Sequence, residues 1–152
     1  MKLLLKGGTV VSAAGSRVAD VLVDGEKIDA VGEGLPADGA KVVDVRGKLL
    51  FPGFIDAHTH FDLDVCNTTT ADNFDTGTRS AIHGGTTMVI DFACPNKGQT
   101  LGYGLDLWHK KADGRSSCDY SFHMTIDDWN EGIKNEIPAM FEAGIPSFKM
   151  YM

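Results

Sequence analysis

Cysteine is scarce in this chain. There are three in 152 residues (Cys66, Cys94 and Cys118), an odd number with no Cys-x-x-Cys pair. That excludes a disulfide framework as the organiser of the fold and makes a reducing cytoplasm the expected compartment. No apolar run approaches membrane-spanning length. The start, Met1-Lys2-Leu3-Leu4-Leu5-Lys6-Gly7, has too short an apolar core for a signal peptide. There is no stripe of Lys and Arg, and a net charge of −7 with a pI near 5.0 argues against nucleic acid as a partner. Gly7-Gly8 and Gly84-Gly85 fit no phosphate-binding pattern and read as turns. What remains is a composition of 43% hydrophobic and 23% charged residues, that of a soluble globular protein.

Residues 1–50 read as short strands separated by turn residues: Lys2 to Lys6, Thr9 to Ser12, Val21 to Val23, Lys27 to Val31 and Lys41 to Val45. Asp24-Gly25 is a strong hairpin signal between the third and fourth of these. From residue 51 the rhythm becomes strand, helix, strand, helix. Leu49 to Ala57 predicts a first buried strand, Thr86 to Phe92 a second, Tyr120 to Ile126 a third and Ile145 to Met152 a fourth. The apolar spacing in Phe74, Ala81 and Ile82 predicts one helix, and that in Leu101, Leu105, Trp108 and Ala112 a second. Trp129 and Ile133, then Met140 and Phe141, mark further helical turns, with Pro138 expected to open a separate helical piece. Apolar strands alternating with helices imply a parallel sheet, hence an α/β fold. The expected division is 1–50 for a small β unit and 51–152 for four strands and three helices. Such a set is not closed, since an eight-fold barrel takes about 250 residues. The expectation is therefore the N-terminal part of a longer chain; read as a complete product, it would be an inactive half barrel.

Chemistry concentrates at two places. In Phe51-Pro52-Gly53-Phe54-Ile55-Asp56-Ala57-His58-Thr59-His60 the two histidines stand two apart at the end of a strand, so their side chains share a face. Imidazole is the commonest protein ligand of zinc-like metals, so the pair reads as half of a metal site, the alternative being two surface histidines. Asp56, two residues earlier, is expected on the same face, as a structural acceptor rather than a ligand. The second place is Lys149, a lone lysine in the apolar run Ile145-Pro146-Ser147-Phe148-Lys149-Met150-Tyr151-Met152. Burial disfavours its ammonium form. A neutral amine adds to carbon dioxide, and the resulting carbamate has two oxygens that can bridge two cations about 3.5–4 Å apart. The plainer reading is a snorkelling lysine at a sheet edge.

These two segments, together with Gly84-Gly85-Thr86-Thr87-Met88-Val89-Ile90-Asp91-Phe92, resemble the amidohydrolase superfamily and within it the cyclic amidase branch of hydantoinases and dihydropyrimidinases. The resemblance runs through the whole chain. It implies a (β/α)₈ TIM-like barrel flanked by a small β-sandwich, of which this chain would supply the first strands of each. It further implies that His58 and His60 bind one of two divalent metal ions, zinc by expectation. Carbamylated Lys149 would bridge the pair, with the other ligands and the general base outside this segment. The implied activity is metal-dependent hydrolysis, a metal-bridging hydroxide opening the ring of a hydantoin or dihydropyrimidine. Implied partners are a cyclic amide or ureide, further copies of the chain in a dimer or tetramer, and the remainder of the chain itself.

Dihydroorotase-like members place an arginine shortly after the His-x-His, whereas here Phe61-Asp62-Leu63-Asp64-Val65 follows, which favours an uncharged cyclic diamide. Leu63, Val65 and Tyr151 are the expected lid over the ring substituent, ordinary packing being the alternative. Asp91 is expected either to orient a ligand from behind or to cap its strand. His83 and His109 read as surface or packing residues, and His123 as a satisfied core histidine rather than a ligand. Cys94 and Cys118 have no basic neighbour in sequence that would make a nucleophile. Two rival readings are an allantoinase- or dihydroorotase-like hydrolase and a non-catalytic dihydropyrimidinase-related scaffold; retention of His58, His60 and Lys149 speaks against the scaffold.

Overall fold

Residues 1–151 are described by a computed structural model, which divides into two units, Met1–Pro52 and Gly53–Met152. The first unit is a sheet of five strands: β1 (Lys2–Ser12), β2 (Gly15–Asp24), β3 (Lys27–Gly32), β4 (Lys41–Asp44) and the short β5 (Leu49–Leu50). The order is β3-β2-β1-β4, with β5 also on β1; the hairpin partners are antiparallel, while β4 and β5 run parallel to β1. Lys2 to Lys6 and Thr9 to Ser12 are one strand, not two. Its register slips between Leu5 and Gly8, where Gly7 takes a φ of 76°. The slip persists because the buried Asp20 carboxylate accepts from the Gly7 N–H at 2.8 Å and from the Leu35 N–H at 3.0 Å.

The second unit contains β6 (Phe54–Thr59), the small hairpin β7 (Asp64–Val65) and β8 (Thr68–Thr69), α1 (Phe74–His83), β9 (Thr86–Ala93), α2 (Leu101–Ala112), β10 (Asp119–Ile126), α3 (Glu131–Glu142) and β11 (Phe148–Met150). The four longer strands form one parallel sheet, ordered β11-β10-β9-β6. Each helix opens on a side-chain cap that satisfies free backbone N–H groups: Asn73 for α1, Thr100 for α2 and Asn130 for α3. Phe74, Leu101, Leu105 and Trp108 from the helices pack on Phe122 and Met124 of β10. Burying each such side chain contributes about 1.5–3 kcal/mol, enough to hold the helices on this face of the sheet.

Three further expectations change. Leu49 to Ala57 is not one buried strand: Pro52-Gly53 separates β5 from β6, and a Cβ at Gly53 would stand 1.9 Å from Thr87 Oγ1. Most of β6 is exposed, because β6 is an edge strand whose one neighbour among the described residues is β9. Pro138 does not open a new helix. It lies inside α3, which runs through it at the cost of one backbone hydrogen bond. The last strand is only Phe148–Met150, after a buried Ile145, and the predicted end at Met152 lies outside the described residues.

Candidate metal centre

The parallel strands set the candidate residues at one end of the sheet. Between Asp56 and Thr59 three steps along β6 match two along β9, from Val89 to Asp91, so β6 carries a bulge at Ala57–His58. The bulge breaks strict alternation. Asp56 and Thr59 pair with Val89 and Asp91, and all four line the cleft beneath α1 or the contacts behind it. His58 and His60 are turned to the opposite face, where their rings meet edge to face with centroids 5.1 Å apart. Asp56 therefore does not share the histidines' face, contrary to the two-residue spacing. Its carboxylate accepts from the His58 N–H at 3.1 Å and so braces the bulge locally.

Phe92 on β9 is the floor under the candidate ligands. Its ring centroid lies 4.7 Å from that of His58, 5.0 Å from that of His60 and 4.8 Å from that of His123. Lys149 Nζ stands over the same ring at 4.5 Å, and over Tyr151 at 5.2 Å. Sequence reasoning had no role for Phe92; its place one residue after Asp91, on the alternate face, was the available signal. His58 is exposed, while His60 and Lys149 are half-buried.

His60 Nδ1 is buried without a hydrogen-bond partner. Burial pushes this imidazole below its usual pKa, against the pull of Asp91, and the nearby Lys149 and His58 push it further down. The ring is neutral at neutral pH and has a lone pair to give. A buried, unsatisfied imidazole nitrogen beside a second imidazole and a lysine amine fits a divalent cation, since coordination supplies the partner that the protein does not. Among the described residues no group of three or more His, Cys, Asp and Glu side chains is arranged to hold a metal. Any site here therefore needs Lys149 and donors from elsewhere.

Asp91 is fully buried on the helix side of β9, and its hydrogen bonds go to groups other than the two imidazoles. One of its oxygens accepts from Thr59 Oγ1 at 3.0 Å and the Phe61 N–H at 2.8 Å; the other accepts from Trp108 Nε1 at 2.9 Å and the Phe92 N–H at 2.8 Å. Burial pushes its carboxyl up, opposed by these four donors. Because Thr59 and Phe61 flank His60, Asp91 fixes the backbone on both sides of that residue. Lys111, whose amine lies over the Trp108 ring at 4.4 Å, reaches the Asp62 carbonyl and holds the same segment one residue further on.

Beyond Phe61 the chain forms the β7–β8 hairpin around Cys66 and Asn67, both at positive φ (52° and 59°). The turn carries no glycine, the usual hairpin signal. Leu63, Val65 and Tyr151 line one cleft of about 450 Å³ together with Cys94, Trp108 and Thr125. Burial pushes the Cys94 thiol up, and its sulfur meets the Phe92 carbonyl at 3.3 Å and Thr125 Oγ1 at 3.2 Å, surroundings that disfavour the nucleophilic thiolate. His83 ends α1 in solvent, and His109 pairs with Asp113 on α2.

Comparison with known proteins adds the context of this geometry. Residues 49–98 match the Amidohydrolase family. The chain is 42% identical over 153 residues to a D-hydantoinase of Geobacillus stearothermophilus, the alignment covering 100% of this chain and 32% of the relative. The whole chain is thus similar to part of a hydantoinase. It is 44% identical to a dihydropyrimidinase of Dictyostelium discoideum, over 99% of the chain and 30% of that relative. The crystal structure of dihydropyrimidinase from Brevibacillus agri NCHU1002 superposes with a TM-score of 0.95 at 44% identity, over 97% of this chain and 32% of that one. The chain thus spans about a third of the length of the relatives it matches. Its α/β architecture, an open parallel sheet with alternating helices after a β unit, is that of the expected partial barrel.

Proposed function

We propose that this chain supplies part of the active centre of a cyclic amide hydrolase that opens a hydantoin or dihydropyrimidine ring. The observation that carries the reading is the convergence of His58, His60 and Lys149 on the Phe92 ring, with His60 Nδ1 buried and unpartnered. His58 and His60 would hold one divalent cation, zinc by the character of the donors. Lys149 would join it to a second through a carbamate. The neutral amine attacks the carbon of CO2, one C–N bond forms, a C=O π pair moves to oxygen, and the amine proton leaves to solvent. When bound, such a metal pair lowers the pKa of a water and polarises the ring carbonyl.

The chain's own residues shape what surrounds that chemistry. Asp91 and Lys111 hold the 59–62 segment from behind, so that the His60 ring is oriented before any ligand arrives. Leu63, Val65 and Tyr151 share the 450 Å³ cleft and would receive the ring substituent by apolar contact. No arginine follows His60 among residues 61–72, so a carboxylated ring such as dihydroorotate would lack a counter-charge from this segment. Three free thiols suit a reducing compartment such as the cytoplasm. The complete chain would be an oligomer, a dimer or tetramer.

The test is metal analysis of the complete protein combined with rates on hydantoin, dihydrouracil, allantoin and dihydroorotate. The expected result is bound zinc and turnover of the first two. A metal-free, fully folded protein with no turnover of any of the four defeats the reading and restores the scaffold alternative.

A further inference from the structure

Both ring nitrogens of His123 are engaged, and what they engage is informative. Nε2 lies 3.0 Å from the carbonyl oxygen of Ala57, and Nδ1 lies 2.5 Å from Ser147 Oγ. A carbonyl oxygen only accepts, so Nε2 carries the hydrogen; in the neutral ring Nδ1 then has only its lone pair, and the Ser147 hydroxyl donates to it. No lone pair is left for a metal. The two partners, however, sit directly beside candidate ligands. Ala57 precedes His58, and Ser147, just ahead of β11, precedes Lys149 by two residues.

The strand order gives this bridge its reach. β10, which bears His123, is separated from β6 by β9, and the Cα partner of His123 is Phe92. The imidazole therefore crosses β9 beside the Phe92 ring to arrive at β6. It meets β6 at Ala57–His58, where the bulge takes a backbone group out of the regular ladder. A carbonyl outside the ladder needs another donor, and His123 provides it. On its other side Ser147 already pins β11 to β10, since its carbonyl accepts from the Met124 N–H at 3.0 Å.

We propose that His123 is a positioning residue for the metal centre: its imidazole ties the His58 bulge of β6 to the Lys149 strand, setting the separation of two ligands that lie three strands apart. This rests on the metal-centre reading above. Outer partners that orient ligands in this way are worth on the order of 10–100-fold in metal affinity.

The experiment uses the full-length protein loaded with Co²⁺ in place of the native metal. His123→Phe keeps the ring stacked near Phe92 and removes both hydrogen bonds. It is expected to shift the visible absorption bands of the cobalt centre and to release cobalt to a chelator about 10–100-fold faster than wild type. Ser147→Ala removes one bond and should give an intermediate rate. His123→Gln retains a donor for Ala57 and an acceptor for Ser147, and should restore most of both readouts. If His123→Phe does not fold, Ser147→Ala and His123→Gln decide on the same two readouts. A lowered melting temperature with an unchanged cobalt spectrum, and release within about twofold of wild type, overturns the proposal and leaves His123 a structural residue. A wild-type protein that takes up no cobalt defeats the metal-centre reading itself, and this proposal with it.

Discussion

A nitrogen ligand binds a divalent cation only through a free lone pair, and by that criterion the candidate residues differ. His60 has a neutral ring and an unpartnered Nδ1. His123 has spent both nitrogens on Ala57 and Ser147. Lys149 has no carboxylate partner among the ion pairs of the described residues, and its amine lies against two aromatic faces. A lysine kept for charge pairing would face an acid; one kept for carbamylation needs a site where the neutral amine can form. Lys149→Ala in the complete protein should therefore lower bound metal from about two ions per chain to one or fewer, with hydrolysis falling by at least about 100-fold. Short carboxylic acids such as acetate or propionate should restore part of it, since their two oxygens replace those of the carbamate. Metal stoichiometry and rate with and without the added acid are the readout. Undiminished metal and activity in the unrescued variant would remove the carbamate from the reading.

At the level of elements, the 59–62 segment is held by helices on the far side of the sheet. α2 reaches it through Trp108 and Asp91 and through Lys111, and α1 through the close approach of Gly77 to Phe61. A Cβ at Gly77 would fall 2.2 Å from Phe61 Cε1 and within 2.8 Å of two further ring carbons. The Phe61 ring cannot swing away freely, as it packs edge-on against Phe74 at 5.3 Å. Helix propensity alone would reward Gly77→Ala by about 1 kcal/mol, whereas overpacking costs about 1–3 kcal/mol. The clash should win, lowering the melting temperature by several degrees. Phe61→Leu in the same chain should recover part of the loss, by a coupling of about 0.5–3 kcal/mol in a double-mutant cycle. A melting temperature raised by Gly77→Ala would mean that the ring gives way. The helix itself was legible from the spacing of Phe74, Ala81 and Ile82, and so were the strands around Asp91 and His123. What the sequence did not reveal is lateral: the bulge at Ala57–His58, the turn at Cys66-Asn67 without glycine, and the passage of α3 through Pro138. Each depends on what the neighbouring strand or helix supplies, which periodicity does not encode. Asp56 shows the consequence. Strict alternation sent it to the metal face, and one inserted residue sends it to the other.

On the scale of the whole molecule, the parallel sheet has β6 at one edge and β11 at the other, and apolar side chains stand open at both. Ile55 is 61% exposed on β6 and Met150 60% exposed on β11. Polypeptides avoid such edges by pairing, covering or charging them. The relatives, of which this chain spans about a third, have twice its length again in which to do so. The 152 residues expressed by themselves should consequently self-associate through these edges. Ile55→Lys places a charge on the β6 edge and removes an apolar side chain whose burial contributes about 1.5–3 kcal/mol. It should thus weaken association by about tenfold or more, 1.4 kcal/mol being one factor of ten. Lys is also tolerated at an edge, so the fold itself should survive. Sedimentation velocity over a range of concentrations, with circular dichroism to confirm folding, measures both. Wild-type chain that stays monomeric at every concentration, or association indifferent to Ile55→Lys, would mean that the β6 edge is not a sticky surface.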